Sequence, residues 1–370
     1  MIVAVITISL FVLYSIILLY LWRSWRRIPE VEELEPASIK LSVIIPARNE
    51  EEHIGKLLKA LELQDYSRQN FEVILVDDSS EDSTASIAGR FANVRLIRMK
   101  DEGKNSNKKR AITEGVQAAA GEYIVTTDAD CIPGPRWLST IASFISRNES
   151  VFVAAPVLID AGGQLVQKFQ AMDFMMLQGI TGAVVNDRRL AMCNGANLAY
   201  KRSVFFEVGG FKEIDEIASG DDMLLMQKIR SRYPTKVHYL KSHHAIVSTA
   251  AVKTWSAFFS QRIRWASKAR HYDDRNMIFI LVLVYLVNLS FLTMLILGFM
   301  NPLFWLLCLG LLIAKTLVEL PLFNSTAKFF RRENWSVQFP FFQPLHILYT
   351  LLAGFFGQVG KYEWKGRKVK

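Results

Sequence analysis

Long uncharged runs limit what this chain can fold into. Residues 2–22 carry no charge and, at about 20 residues, are long enough to cross a bilayer as a helix. They lack the basic front and the small-residue cleavage site of a signal peptide, so we expect an anchor (residues 1–22) that stays in the protein. Arg23, Arg26 and Arg27 follow directly. Because basic residues favour the cytoplasmic side, the N-terminus is predicted to lie outside the cell.

Three more apolar runs lie in the last third of the chain. Residues 277–300 and 302–323 predict two further membrane helices. Residues 337–360 contain Pro340 and Pro344, which predict a helix broken near its start. We therefore expect this segment to re-enter or lie shallow, leaving the basic tail 361–370 in the cytoplasm, with an ordinary fourth crossing as the alternative.

Charge and cysteine content narrow the function classes. The net charge is +9, but much of the basic excess borders the apolar runs, so membrane lipids with anionic headgroups are expected as partners and nucleic acid is not. The three cysteines show no CxxC spacing, which predicts neither a zinc site nor a disulfide framework. We expect an integral membrane protein of a bacterial or archaeal type of cell membrane. Its oligomeric state cannot be read from the sequence.

Between the first and second apolar runs, residues 23–250 predict one cytoplasmic α/β domain. Short apolar runs alternate with helical patterns, which is typical of a mostly parallel sheet with helices on both faces. The predicted strands are 41–46, 71–78, 94–99 and 122–128, and the predicted helices are 50–63, 83–91 and 107–119. Ligands of such sheets bind beyond the carboxyl ends of the strands. Neither a dinucleotide-binding nor a P-loop glycine pattern is present.

Two carboxylates follow the predicted strand 122–128. Asp128 and Asp130 lie two residues apart, so in a nearly extended chain both can face one side. There they could hold Mg²⁺ or Mn²⁺, which bind through one or two carboxylates plus substrate phosphates. The alternative is a turn with solvated charges before Pro133.

Several ordered stretches resemble a known family. The chain is similar to inverting, membrane-bound glycosyltransferases of family 2, which have the Rossmann-like nucleotide-sugar-binding fold called GT-A. The matching stretches are VIIPARNEEEHI (43–54), VDDSSEDST (76–84), GKNSNKKRAITEG (103–115), TTDADCIPGP (126–135), CNGANLAYKRSVFFEVGGF (193–211), SGDDMLL (219–225) and QRIRW (261–265).

The resemblance implies a donor site for a nucleotide sugar. The residues expected around the nucleotide are Pro46, Ala47, Arg48, Asn49, Glu50 and Asp78. A carboxylate such as Asp78 can accept the imide N–H of uracil, which favours UDP, although it could instead cap a helix. Lys108 and Lys109 would lie near the diphosphate, with their register open, and Asp128 and Asp130 would bind the metal.

The resemblance also implies an acceptor site. Asp222 would be the general base that takes a proton from the acceptor hydroxyl, and Asp221 is expected beside it. Both could instead simply charge the first turn of a helix. The residues expected on the acceptor side are Asn194, Gly195, Asn197, Gln261, Arg264 and Trp265.

The QRIRW motif lies in a predicted amphipathic helix, residues 251–276, at the membrane interface. Gln261, Arg264 and Trp265 fall on its polar face, whereas Arg262 falls on its apolar face and is expected to snorkel toward the headgroups. In the third apolar run, Lys315 and Glu319 are four residues apart and are expected to pair within the helix, with an acceptor headgroup as the alternative partner.

These features predict a transferase that moves a sugar from a nucleotide diphosphate donor to an acceptor at the cytoplasmic membrane face, a lipid or a glycan. A processive polysaccharide synthase is the alternative within the enzyme class, because QRIRW is shared with such enzymes. An inactive nucleotide-sugar-binding scaffold is the alternative outside that class.

Overall fold

The computed structural model describes residues 2–32, 35–100, 107–187, 192–214, 220–267, 274–359, 362–364 and 367–369. The chain divides into two compact units. We call Ile28–Asp160 together with Val184–Ala250 the sheet unit. We call Met1–Arg27, Ala161–Ala183 and Ala251–Lys370 together the helical unit.

Helices and strands alternate through the middle of the chain, and long helices occupy its two ends. The α-helices are α1 Ile2–Arg27, α2 Ile54–Glu62, α3 Thr84–Ala88, α4 Asn107–Ala118, α5 Trp137–Asn148, α6 Leu165–Asp187, α7 Arg202–Glu207, α8 Asp221–Arg232, α9 Trp255–Ser267, α10 Arg275–Leu297, α11 Leu303–Phe329 and α12 Phe339–Val359. The strands are β1 Leu41–Ala47, β2 Phe71–Asp77, β3 Val94–Arg98, β4 Tyr123–Thr126, β5 Cys131–Pro133, β6 Phe152–Ala154, β7 Val157–Asp160, β8 Leu198–Lys201, β9 Val237–Tyr239, β10 Val247–Ala250, β11 Tyr362–Trp364 and β12 Arg367–Val369.

The sheet unit is built on a seven-stranded sheet in the order β3-β2-β1-β4-β8-β6-β9. Its first four strands run parallel, and β8 is antiparallel to both of its neighbours. The apolar runs of β1 and β2 are almost wholly buried, as expected for strands covered on both faces. The predicted mostly parallel sheet is therefore confirmed, and the predicted strands and helices before β4 all form.

The strand before the paired aspartates ends earlier than predicted. β4 stops at Thr126 rather than at residue 128, and residues 127–130 turn the chain into β5. β5 belongs to a second, three-stranded sheet in the order β5-β10-β7. Because β5 pairs with β10 immediately after Asp130, this small sheet fixes the position of the turn.

The helical unit contains helices that can cross a membrane. Ile2–Arg27, Arg275–Leu297, Leu303–Phe329 and Phe339–Val359 are long and apolar enough to do so. The predicted break in the last of them is wrong, because α12 runs without interruption through Pro344. Pro340 lies in the first turn, where its missing N–H would have no helical partner, and Pro344 removes only one bond further along.

The charges predicted to pair inside the third apolar run do so. Nζ of Lys315 lies 2.6 Å from Oε1 of Glu319, and both side chains are buried. Lys315 also donates to Gln343 of α12 at 2.6 Å, and Glu319 accepts from Gln343 and from the hydroxyl of Tyr14 in α1. The pair therefore joins three helices instead of lying exposed to lipid.

The structure describes part of the predicted interface helix, of which residues 268–273 lie outside the described residues. α9 covers Trp255–Ser267, and α10 begins at Arg275, capped by Asp274, which accepts from the backbone N–H of Asn276 and Met277. Within the helical unit, α9 packs on α6 and α12 through a buried apolar cluster. Gly357 permits this approach, because a Cβ at that position would lie 2.7 Å from Cβ of Ala266. The cluster consists of Val166, Phe169, Phe258, Tyr349 and Ala353.

Candidate active site

The two loops that follow β1 and β2 are hydrogen-bonded to each other. The backbone N–H of Glu51 donates to Asp82, and that of Ser83 donates to the carboxylate of Glu51, each at 3.0 Å. Oδ1 of Asn49 accepts from the N–H of Glu81 at 2.9 Å. Asn49 has φ of 52°, a left-handed conformation that asparagine tolerates better than most residues. The predicted nucleotide residues 46–50 and Asp78 are thus brought together at one edge of the sheet.

Asp78 lies buried beside Arg48. Nη1 of Arg48 donates to the carbonyl oxygen of Asp78 at 3.0 Å and lies 3.9 Å from its carboxylate. The N-cap position of α3 is Ser83, and Oδ1 of Asp82 accepts from the N–H of Thr84 at 2.9 Å. Asp78 is therefore not the residue that caps α3.

An acidic cluster lies at the end of β4 and the start of α8. We define it as Lys108, Asp128, Asp130, Asp221 and Asp222. Nζ of Lys108 lies 2.6 Å from Oδ1 of Asp128 and 3.5 Å from Oδ2 of Asp221. Burial lowers the pKa of Lys108, but the neighbouring carboxylates outweigh burial and raise this pKa above its ordinary value, so the ammonium stays charged.

Asp222 is held by backbone groups on both of its oxygens. Oδ1 accepts from the N–H of Met223 at 2.8 Å, and Oδ2 accepts from the N–H of Gly195 at 3.2 Å. A Cβ at position 195 would lie 3.2 Å from Oδ2 of Asp221 and 3.5 Å from Nζ of Lys108, so glycine lets the backbone approach the cluster. Asp221 and Asp222 do lie in the first turn of α8, and they also face the predicted acceptor loop.

The surroundings of Asp130 suit a cation. Burial raises the pKa of Asp130, and the charges of Asp128 and Glu50 add to the effect. The hydroxyl of Thr249 donates to Oδ2 of Asp130 at 3.2 Å and partly offsets it. Among the residues that the structure describes, no three His, Cys, Asp or Glu side chains gather as an all-protein metal site. Asp128 and Asp130 place two carboxylates close together, and Asp128 already binds the ammonium of Lys108 at 2.6 Å. Such a pair fits a divalent cation that takes its other ligands from phosphate oxygens.

Two predicted substrate residues are used inside the protein. The amide of Asn197 is fully buried: Nδ2 donates to the carbonyl oxygens of Pro156 and Ala245, and Oδ1 accepts from Nε1 of Trp137. Lys109 is also buried, and its Nζ donates to the carbonyl oxygen of Ile214. We correct both predictions: the side chains of Asn197 and Lys109 bond to groups inside the protein, and Lys108 is the lysine that enters the cluster.

Asn194 and the QRIRW residues remain as candidates. Oδ1 of Asn194 accepts from the N–H of Ala196, which forms the turn around Gly195. Gln261, Arg264 and Trp265 lie on α9 of the helical unit and are half-buried. Gln261 accepts from Nε2 of Gln170 at 2.9 Å, and the ring of Trp265 packs on Phe174.

The prediction that Arg262 snorkels is wrong. Its side chain is 3% exposed, and Nη2 lies 2.6 Å from Oδ2 of Asp173, which is 4% exposed. The negative charge beside Arg262 therefore comes from the buried carboxylate of Asp173, and not from lipid headgroups as predicted. Asp173, Gln170 and Thr249 were missed by the sequence analysis, and each lies so far along the chain from its partner that no local pattern marks it.

Comparison with known proteins identifies the class of the sheet unit. Residues 42–209 match the family model described as Glycosyl transferase family 2. The mannosyltransferase PcManGT from Pyrobaculum calidifontis, solved in complex with GDP-Man and Mn²⁺, has the same fold at 20% identity, with a TM-score of 0.57 over 96% of this chain and 98% of that chain. Residues 42–209 are therefore similar to glycosyltransferase family 2, and the chain has the GT-A fold, as the resemblance predicted.

Curated relatives are similar over part of their length. The chain is 27% identical over 248 residues to the probable glycosyltransferase YdaM of Bacillus subtilis, covering 65% of this chain and 58% of that protein. It is 30% identical over 189 residues to the glycosyltransferase AglE of Haloferax volcanii, covering 50% of this chain and 59% of that protein. The chain thus spans less than two thirds of the length of these relatives.

Proposed function

We propose that this protein transfers a sugar from a nucleotide diphosphate donor to a lipid acceptor at the cytoplasmic membrane face, with inversion at the sugar. The observation that carries the proposal is the acidic cluster, in which Lys108 and Asp222 stand together at the ends of the strands. Displacement at a sugar carbon needs a base on the acceptor and charge stabilisation on the leaving diphosphate. The cluster contains a group suited to each task.

Asp222 is the base in this scheme. Its carboxylate accepts two backbone N–H bonds, which fix its direction. It takes the proton of the acceptor hydroxyl as that oxygen attacks the anomeric carbon, and the diphosphate leaves from the opposite face. One such step inverts the configuration.

The donor end of the site handles negative charge. Lys108 supplies an ammonium that neighbouring carboxylates keep protonated, and it can move from Asp128 to a diphosphate oxygen. Asp128 and Asp130 would hold Mg²⁺ or Mn²⁺, which offsets charge on the leaving group. The similar fold solved with GDP-Man and Mn²⁺ supports a donor of this class. We assign UDP as the nucleotide, because Asp78 can accept the imide N–H of uracil.

A lipid acceptor suits the rest of the chain. Four helices are long and apolar enough to cross a membrane, and α9, which carries QRIRW, packs against the last of them. An acceptor that is itself held in the bilayer would need no soluble carrier to reach such a protein. Basic residues beside the apolar helices favour the cytoplasmic leaflet, where nucleotide sugars are available.

The test is direct. Purified protein in lipid is incubated with a panel of labelled UDP- and GDP-sugars, a total lipid extract and Mn²⁺, and the label is then traced. Label in a lipid, with one nucleotide diphosphate released per sugar, is the expected result. Label in a polymer would indicate a processive synthase. No release of nucleotide from any donor would contradict the proposal and favour a binding scaffold.

A further inference from the structure

Helix α6 contacts the QRIRW segment through three of its residues, Gln170, Asp173 and Phe174. Gln170 donates to Gln261 and also accepts from the backbone N–H of Val252, at 2.9 and 2.8 Å. One turn further along α6, Asp173 pairs with Arg262. Phe174 packs on Trp265 with ring centroids 5.9 Å apart. The partners follow the same order along both helices, so α6 acts as a template for this part of α9.

The pair of Asp173 and Arg262 is the most constrained of these contacts. The guanidinium of Arg262 lies over the rings of Trp265, Phe258 and Tyr349, at 4.5, 5.1 and 5.7 Å from their centroids. Such stacking suits the planar guanidinium and not the ammonium of lysine. The arginine is therefore held by charge on one side and by aromatic faces on the others.

Asp173 receives groups from two helices. Besides Arg262 on α9, it accepts from the hydroxyl of Tyr349 on α12 at 2.8 Å, and Nε2 of His346 lies 3.7 Å from its Oδ1. A buried ion pair is expensive to desolvate and adds little to stability compared with apolar packing of the same volume. Separating the two partners would leave a buried charge without compensation, which is strongly unfavourable. The pair therefore fixes the relative positions of the two helices that carry it.

The geometry fixed here is the rotation of α9 about its axis. Gln261, Arg264 and Trp265 are spaced i, i+3 and i+4 and therefore share one face of the helix. Arg262 lies about 100° away from Gln261 around the axis. Because Arg262 is held by Asp173, the rotation of α9 is fixed. This rotation determines the direction in which Gln261, Arg264 and Trp265 point.

We propose that Asp173 and Arg262 are positioning residues for the transfer reaction: their buried ion pair sets the direction of Gln261, Arg264 and Trp265 toward the acceptor. This inference rests on the proposed function. In this scheme Arg262, the second residue of QRIRW, orients α9, whereas Gln261, Arg264 and Trp265 face the acceptor.

The kinetic test compares Asp173→Asn, Arg262→Met and Arg262→Lys with Lys253→Met, which removes an exposed cation from the start of the same segment. We expect Asp173→Asn and Arg262→Met to lower transfer about 100-fold, the scale of an error of about 1 Å in positioning. Arg262→Lys keeps the charge and should recover part of the rate. UDP affinity should be unchanged in all of them, and Lys253→Met should match the wild type.

A structural readout separates failure of this inference from failure of the proposed function. Ile263 packs against the buried cluster, so a cysteine at that position should react slowly with a thiol reagent. The same cysteine should react several-fold faster when Asp173→Asn is added, whether or not the protein turns over a donor. Tyr349→Phe, which removes only the hydroxyl bond to Asp173, should give a smaller increase and guards against a variant that fails to fold.

Three outcomes would overturn the inference. One is a folded Asp173→Asn protein that transfers at the wild-type rate. Another is a cysteine at position 263 whose labelling is the same with and without Asp173→Asn. The third is a loss of UDP affinity that equals the loss of rate. A wild-type protein without turnover contradicts the proposed function, and the labelling experiment then decides whether the pair positions α9.

Discussion

The two units use charged residues in opposite ways. In the acidic cluster of the sheet unit, as we define it, four carboxylates accompany the single ammonium of Lys108. Among the residues of the helical unit that the structure describes, the buried charges form balanced pairs, Lys315 with Glu319 and Arg262 with Asp173. Carboxylates this close repel one another unless a cation joins them, whereas each ion pair of the helical unit already holds both of its charges. From this contrast we expect the sheet unit to bind the donor and carry out the transfer. We expect the buried pairs of the helical unit to fix the positions of its helices.

The largest effect is expected at the centre of the unbalanced cluster. Asp130→Ala should lower transfer by about 10³-fold or more, because several kcal/mol of charge stabilisation on the leaving diphosphate are lost. The assay is release of nucleotide from the donor, with and without EDTA. Asp65→Ala, an exposed aspartate of the same unit, is the control and should remain active. Wild-type turnover that persists in EDTA would remove the role given to the metal.

The second-largest loss of transfer activity is expected for Asp222→Asn. An amide of the same shape cannot take the acceptor proton, so transfer should fall by about 10²–10⁴-fold while UDP affinity stays the same. Asp221→Asn is the neighbouring comparison and should cost less, because Asp221 is paired with Lys108 and is not assigned the proton. Equal losses of affinity and rate in Asp222→Asn would move this residue from the acceptor to the donor side.

Lys315→Met tests the balanced unit. It strands Glu319 among buried helices and should destabilise the fold by about 3–5 kcal/mol, measured by unfolding in detergent. The double variant Lys315→Met with Glu319→Gln leaves no unpaired charge and should recover most of that stability. If Lys315→Met folded like the wild type and changed which acceptor is used, the pair would be a recognition site and the contrast between the units would fail.

The smallest effect is expected at the C-terminal tail, where the question is location. Since α12 packs beside α9 from Phe342 to Gly357, we predict that the tail stays on the cytoplasmic side with α9. Val369→Cys, probed in intact cells with a membrane-impermeant thiol reagent, should label only after lysis. Labelling from outside would make α12 an ordinary fourth crossing. Transfer activity should be unaffected by this substitution.

Local signals in the sequence were sufficient for much of the fold. The apolar runs of β1 and β2 and the spacing of Lys315 and Glu319 depend on neighbouring residues, and the structure agrees with each prediction. The end of β4 depends on a sheet that includes β10, more than a hundred residues later, and was placed two residues too far.

The site divides in the same way. The structure gathers Asp128, Asp221 and Asp222, which the motifs singled out, around Lys108. Motif spacing could not choose between Lys108 and Lys109, because that choice depends on the contact of Lys109 with Ile214. The sequence placed Arg262 correctly on the apolar face of α9, but it predicted contact with lipid headgroups where the structure has a buried ion pair. Its partner Asp173 lies on another helix, and no pattern within either helix records the pairing.

The central claim is that the unbalanced cluster gathers a divalent cation and a diphosphate while the balanced pairs do not. Binding of Mn²⁺ in the presence of UDP, followed by electron paramagnetic resonance, tests this without requiring turnover. We predict one bound Mn²⁺ that is lost in Asp130→Ala and retained in the double variant Lys315→Met with Glu319→Gln. Undiminished Mn²⁺ binding in Asp130→Ala, or its loss in the double variant, would contradict the account.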